Sequence, residues 1–139
     1  MRQLTLFFGL IIAGFFYSCD DCNDCKELQQ KRIIIQNENG TNLLFGTDAT
    51  YNPDEATIVT SSGVQQPLFV DEDAGALLFS LEENEMTYTL HLNTTDSETI
   101  NFELDERDSK QCCGTLTIST STSLNGTKIE NSDTIIIVK

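Results

Sequence analysis

Met86-Thr87-Tyr88-Thr89-Leu90-His91-Leu92 alternates apolar and polar side chains without a break. Met86, Tyr88, Leu90 and Leu92 fall on one face, and Thr87, Thr89 and His91 on the other. A strict period of two is the signature of a half-buried antiparallel strand, because successive strand side chains point to opposite faces. The pattern recurs at Ile100, Phe102 and Leu104, interleaved with Thr99, Asn101 and Glu103, and again at Leu116 and Ile118 between Thr115, Thr117 and Ser119. Outward from these segments the chain is a succession of short apolar runs: Ile33-Ile34-Ile35, Leu43-Leu44-Phe45, Ala56 to Thr60, Pro67 to Val70, Ala76 to Leu81 and Ile135-Ile136-Ile137-Val138. Turn residues separate them. Asn39-Gly40 and Asn125-Gly126 are hairpin signals, since a type I′ turn needs φ > 0 at both central residues. No window carries an i, i+3, i+4, i+7 stripe of helical length. The expectation is an all-β domain over residues 31–139, an antiparallel β-sandwich, Ig-like or transthyretin-like, of about 8–9 short strands.

The 139 residues suit one domain with one core. A formal charge of −14, from 8 Lys+Arg against 22 Asp+Glu, opposes binding to nucleic acid, whose phosphates would repel it. Solvated acidic loops are the plain reading of such a composition.

The first residues differ from the rest. Met1-Arg2-Gln3 is a short basic head, and Leu4 to Tyr17 is a run of 14 residues without charge. A membrane-spanning helix needs about 20, so this length is that of an export signal. Phe16-Tyr17-Ser18-Cys19 resembles a lipobox, in which a small residue precedes a cysteine. The resemblance implies cleavage before Cys19 and lipidation of Cys19 with diacylglycerol and a further acyl chain. Two or more chains hold a protein at a bilayer, at about 0.8 kcal/mol per buried CH₂. The division expected is therefore a signal peptide over 1–18, an acidic, Cys-containing tether over 19–30, and the sandwich.

Few residues suggest chemistry. His91, the one histidine, sits on the polar face of its strand and reads as a solvated residue. Asp71-Glu72-Asp73, Glu82-Glu83-Glu85 and Asp105-Glu106-Asp108 are acidic clusters, and loop carboxylates suit Ca²⁺. None matches the calcium-loop pattern with its mid-loop Gly and terminal Glu. No catalytic set, resident metal or cofactor is expected. Asp133-Thr134-Ile135 resembles the three-residue O-glycosylation site of Bacteroidota.

The chain as a whole resembles small Bacteroidota lipoproteins of unassigned function. The residues that carry the likeness are the Ser18-Cys19 junction with its acidic follow-on Asp20-Asp21, the stretch Asn39-Gly40-Thr41-Asn42-Leu43-Leu44-Phe45-Gly46 with Tyr51-Asn52-Pro53-Asp54, and Cys112-Cys113-Gly114. The resemblance implies a protein lipid-anchored to the outer membrane, on its periplasmic or cell-surface side. It brings no catalytic residues. The function expected is a non-catalytic structural or interaction module for a protein or glycan partner, with a small-ligand or calcium-binding module as the alternative.

With Cys19 lipidated, Cys22, Cys25, Cys112 and Cys113 remain, and four thiols allow three pairings. One pairing needs a vicinal Cys112–Cys113 bridge, which strand geometry disfavours because adjacent residues face opposite ways. Both others join tether to domain. At least one bridge from Cys22 or Cys25 to Cys112 or Cys113 is expected, closing a loop of about 90 residues worth about 4–5 kcal/mol in the chain-entropy account. Non-reducing peptide mapping should find that tether-to-domain link; Cys112–Cys113 alone, or four free thiols, would refute it.

Overall fold

A computed structural model of the protein describes residues 30–108 and 114–139. It is a two-sheet β-sandwich of ten strands: β1 (Gln30–Gln36), β2 (Thr57–Thr60), β3 (Gln65–Gln66), β4 (Phe69–Asp71), β5 (Ala76–Ser80), β6 (Thr87–His91), β7 (Ser97–Asp108), β8 (Thr115–Leu124), β9 (Thr127–Ile129) and β10 (Thr134–Val138). One sheet has the order β10-β1-β5-β4 and the other β3-β2-β6-β7-β8-β9. Among the described residues there is one 3₁₀ turn, Pro53–Glu55, which starts where the Asn52 side chain accepts a bond from the Asp54 N–H.

The alternation read from the sequence is what fills the space between the sheets. Ile33 and Ile35 of β1, Leu77 and Phe79 of β5, and Ile135 and Ile137 of β10 face Ile58 of β2, Tyr88 and Leu90 of β6, and Ile100 and Phe102 of β7 in one buried cluster. Phe79 and Tyr88 join the two sheets with ring centroids 5.1 Å apart, and Phe102 stands edge-on to Tyr88 at 5.8 Å. Tilted and edge-to-face pairs set the ring quadrupoles favourably and add to the burial energy. The Tyr88 hydroxyl accepts the Glu82 N–H at 2.8 Å. Burial pushes its phenol up to about 12, so it stays neutral. Met86, at the same parity but just ahead of β6, escapes the core and is exposed.

Three local readings change. The sandwich is antiparallel throughout except at one place: β1 and β10 run parallel, Ile34 beside Ile136 and Ile35 beside Ile137. No turn signal can announce that pairing, because its partners lie at opposite ends of the domain. Secondly, Asn39-Gly40 does not make a hairpin of two strands. Gly40 has φ +81°, but pairing stops at a single bridge, Gln36 to Asn42, and Leu43-Leu44-Phe45 is a loop. The Asn42 side chain decides this. Its oxygen accepts from the N–H groups of Leu44 and Phe45 at 2.8 and 3.0 Å, while its amide donates to the Gly75 carbonyl at 2.7 Å. A Cβ on Gly75 would come within 2.7 Å of that amide nitrogen, at a positive φ besides. The motif thus delivers Leu43 and Leu44 to the core from a loop, with Asn42 tying it to the β4–β5 turn.

The third change is a β-bulge. Glu103 pairs with Ser121 but Leu104 pairs with Ser119, so Thr120 is the extra residue, its hydroxyl bonded to the Glu103 carbonyl at 3.1 Å. One extra residue reverses which face every later side chain takes. Before it Thr122 shares the inner face with Phe102; beyond it Leu116 and Ile118 stand beside Arg107 and Asp105 on the other face. Leu116 is buried there, outside the main cluster. By contrast Asn125-Gly126 behaves as read: both φ values are positive, 50° and 80°, and the turn joins β8 to β9.

Replacing Phe79 by Ala should lower the unfolding free energy by about 3–5 kcal/mol, since it removes the ring that bridges both sheets. Urea unfolding should show a lower midpoint at unchanged slope.

Candidate functional site: a charged staple across the sandwich

Where β10 ends, the Lys139 N–H donates to the Gln36 carbonyl at 2.9 Å, extending the ladder by one residue. Lys139 shares the inward parity of Ile135 and Ile137, so its ammonium reaches over to the other sheet. It donates to Asp96 Oδ1 at 2.6 Å and to Glu98 Oε1. Asp96 sits in the β6–β7 turn, whose shape comes from Asn93: its Oδ1 accepts the N–H groups of Thr95 and Asp96, both at 2.8 Å. The Leu92 N–H closes the turn on the Asp96 carbonyl.

The remaining carboxylate oxygens also have donors. Tyr51, placed by its N–H bond to the Leu43 carbonyl, donates its hydroxyl to Asp96 Oδ2 at 2.6 Å. Asn125, the φ +50° residue of the β8–β9 turn, donates its side-chain amide to Glu98 Oε2 while its oxygen accepts the Thr99 N–H. Glu98 is only 6% exposed, at the inward parity of Ile100 and Phe102. A carboxylate buried so far survives only when paired and fully hydrogen-bonded.

The electrostatics lock each group in its resting form. The bonds from Lys139 and then Tyr51 hold the Asp96 carboxyl below its usual value. Donating to Asp96 raises the Tyr51 phenol, helped by burial. Burial pulls the Lys139 ammonium down, but its bonds to Asp96 and Glu98 outweigh that and its pKa rises. With an ionised Asp96, a protonated Lys139 and a neutral Tyr51, the cluster binds its own parts together.

The residues singled out from sequence are not gathered here. His91 ends β6 between Thr57 and Ser97, half-buried. Asp71 closes its own turn by accepting the Ala74 N–H, and Glu85 accepts from Ser61 and Thr87. Asp105, Glu106 and Asp108 lie on β7 rather than in a loop. Among the described residues no three His, Cys, Asp or Glu side chains come together as a metal ion would need. Thr134 is half-buried on the outward face of β10, beside Arg32. Cys19, Cys22, Cys25, Cys112 and Cys113 lie outside the described residues. Among the described residues three surface recesses, of about 250 Å³ beside Lys31 and Asp133, about 280 Å³ beside Met86 and Leu104 and about 260 Å³ beside Glu103 and Lys128, are each smaller than the about 300–1,000 Å³ usual for ligand pockets. No helix among the described residues is long and apolar enough to cross a membrane.

Tyr51, Asp96, Glu98, Asn125 and Lys139 were not visible as a set. The signal that could have found part of it is a charge in a core slot: Glu98 keeps step with Ile100 and Phe102, and Lys139 with Ile135 and Ile137. Comparison with known protein families, with curated proteins and with solved structures finds no match to this chain.

Lys139→Met should destabilise the domain by about 2–3 kcal/mol, because it leaves Glu98 buried without its cation. The pH dependence has a definite sign. The Asp96 contribution is full above its ordinary value of 3.8 and disappears as pH falls through its lower folded value. The Lys139 contribution is full below 10.5 and disappears as pH rises through its higher folded value. The stability gap between the two proteins should therefore be flat through neutral pH and shrink at both extremes, as read from urea titrations across pH.

Proposed function

We propose that this chain is a lipoprotein anchored to the bacterial outer membrane, whose β-sandwich serves there as a non-catalytic structural or interaction module. The observation that carries the anchor is Met1 to Cys19: a basic head, an uncharged run too short to span, and Ser18-Cys19 followed at once by Asp20-Asp21. A lipid on Cys19 would set the domain at a membrane surface at the end of a short acidic tether.

The character of the domain supports the second half of the reading. The cluster of Tyr51, Asp96, Glu98, Asn125 and Lys139 is consumed in holding the two sheets together. Among the described residues, every buried side-chain nitrogen and oxygen has a hydrogen-bond partner within the domain. Four of the exposed large apolar side chains, Phe69, Val70, Ile136 and Val138, instead lie on the two edge strands of the four-stranded sheet. Apolar groups at sheet edges suit contact with a protein partner. The calcium-binding alternative has no assembled ligand set among the described residues to build on.

Cys19→Ser should abolish labelling by radioactive palmitate, leave the precursor at its uncleaved mass and release the domain from the outer-membrane fraction. A variant that is still cut after Ser18 and still sediments with the membrane would overturn the proposal.

A further inference from the structure

A sheet edge is a row of unsatisfied N–H and C=O groups, and proteins usually blunt it. Three of the four edges here are blunted. β3 has two residues and β9 three, including Lys128; β4 has three, with Pro67 two residues ahead and Asp71 as its last residue. β10 is different. Its five residues, Thr134-Ile135-Ile136-Ile137-Val138, contain no charge, no proline and no bulge. Among the described residues, β1 is its sole strand neighbour.

The parallel register shows which groups are open. Arg32 N–H donates to the Asp133 carbonyl at 2.8 Å and Lys139 N–H to the Gln36 carbonyl at 2.9 Å, so the odd-numbered residues of this strand spend their backbone groups on β1. Those of Thr134, Ile136 and Val138 point away from the sheet. The Ser132 hydroxyl occupies the groups of Thr134, bonding to both its N–H and its carbonyl, and needs only a rotamer change to leave them. Among the described residues nothing comparable covers Ile136 or Val138, whose side chains are 49% and 54% exposed.

We propose that β10 pairs with β10 of a second copy of this chain, antiparallel, about a twofold axis at Ile136. Antiparallel register keeps the sum of paired residue numbers constant. Ile136 then faces its own counterpart, Thr134 faces Val138, and Asp133 faces Lys139 of the second copy. Asp133, whose side chain stays 77% exposed beside Lys31, then meets at each end the Lys139 ammonium, which keeps one donor beyond those it gives Asp96 and Glu98; this contact flanking an uncharged segment selects the register and a second copy as the occupant. The twofold closes on itself, where β10 against β4 of another copy would continue without end. On the outward face the pairing joins Ile34, Ile136 and Val138 of both copies into one apolar strip. The charges around β10 are mixed, Lys31, Arg32 and Lys139 standing against Asp133, Asp96 and Glu98, and salt screens the more distant carboxylates within about 8 Å. The inference stands without the lipid anchor.

Full-length chains carrying two different affinity tags, co-expressed and extracted in detergent, test it. The two tags should co-purify. Ile136→Lys in both copies should abolish co-purification by setting like charges across the axis, even though it makes the protein less acidic. Ile136→Glu in both should do the same. Ile136→Lys in one copy with Ile136→Glu in the other should restore it, which also shows that both variants fold. Phe69→Lys on the opposite edge should leave it intact. Failure of the wild-type tags to co-purify, survival of the Lys–Lys pair, loss with Phe69→Lys, or no rescue by the Lys–Glu pair would each overturn the proposal. Membrane retention read in the same cells reports separately on Cys19.

Discussion

The inner faces of the two sheets have no other place to go than against each other, and this shared burial organises the domain. Each large apolar side chain removed from water contributes about 1.5–3 kcal/mol, and the contributors come from nearly every long strand. Phe79, Tyr88 and Phe102 form the junction, one ring from the four-stranded sheet and two from the other. The first and last strands are drawn into the same requirement. Ile33, Ile35, Ile135 and Ile137 must all face inward, and placing β1 beside β10 in parallel register satisfies them at once. Chain closure in this protein is therefore a consequence of core filling rather than of any turn.

Polar groups follow from that geometry. A strand that keeps its inward parity to its last residue brings Lys139 over the rim of the sandwich, where Asp96 and Glu98 wait on the facing sheet. Lys31, also inward on β1, instead bonds within its own sheet, to Asp133 at 3.0 Å. In a chain with so few cations, three of them, Lys31, Arg32 and Lys139, are set on the sheet that contains β1 and β10. Among the described residues the carboxylates in excess are mostly exposed, in turns and on the far half of β7. An acidic surface and a cation-bearing sheet are two sides of one distribution.

β10 carries two roles on its two faces and edge. Ile135 and Ile137 complete the core, while Ile136 and Val138 remain available, on an edge without the short length, charge or proline that guard the other three. Were the domain held at a membrane by a lipid on Cys19, as proposed, association through β10 would leave the tether free. It would also concentrate lipid anchors, two chains' worth per assembly, which strengthens attachment without a new contact.

Sequence alone determined the local choices: strand rather than helix, from the alternation at 86–92 and 99–104; the turn at Asn125-Gly126, from the need for positive φ; and the core membership of Tyr88, Leu90, Ile100 and Phe102. These are legible because period and turn chemistry act over neighbouring residues. Tertiary structure decided what depends on distant partners. Asn42 made a loop where Asn39-Gly40 promised a hairpin, because the Gly75 carbonyl was there to accept its amide. Thr120 turned Leu116 and Ile118 to the opposite face, since a bulge is set by the paired strand and leaves no mark on either one. Glu98 and Lys139 were each an oddity, a charge in an apolar slot, until the sandwich brought them together. A buried charge is tolerable only beside its counterion, and which residue will stand there is fixed by the packing of two sheets, not by the order of residues along either.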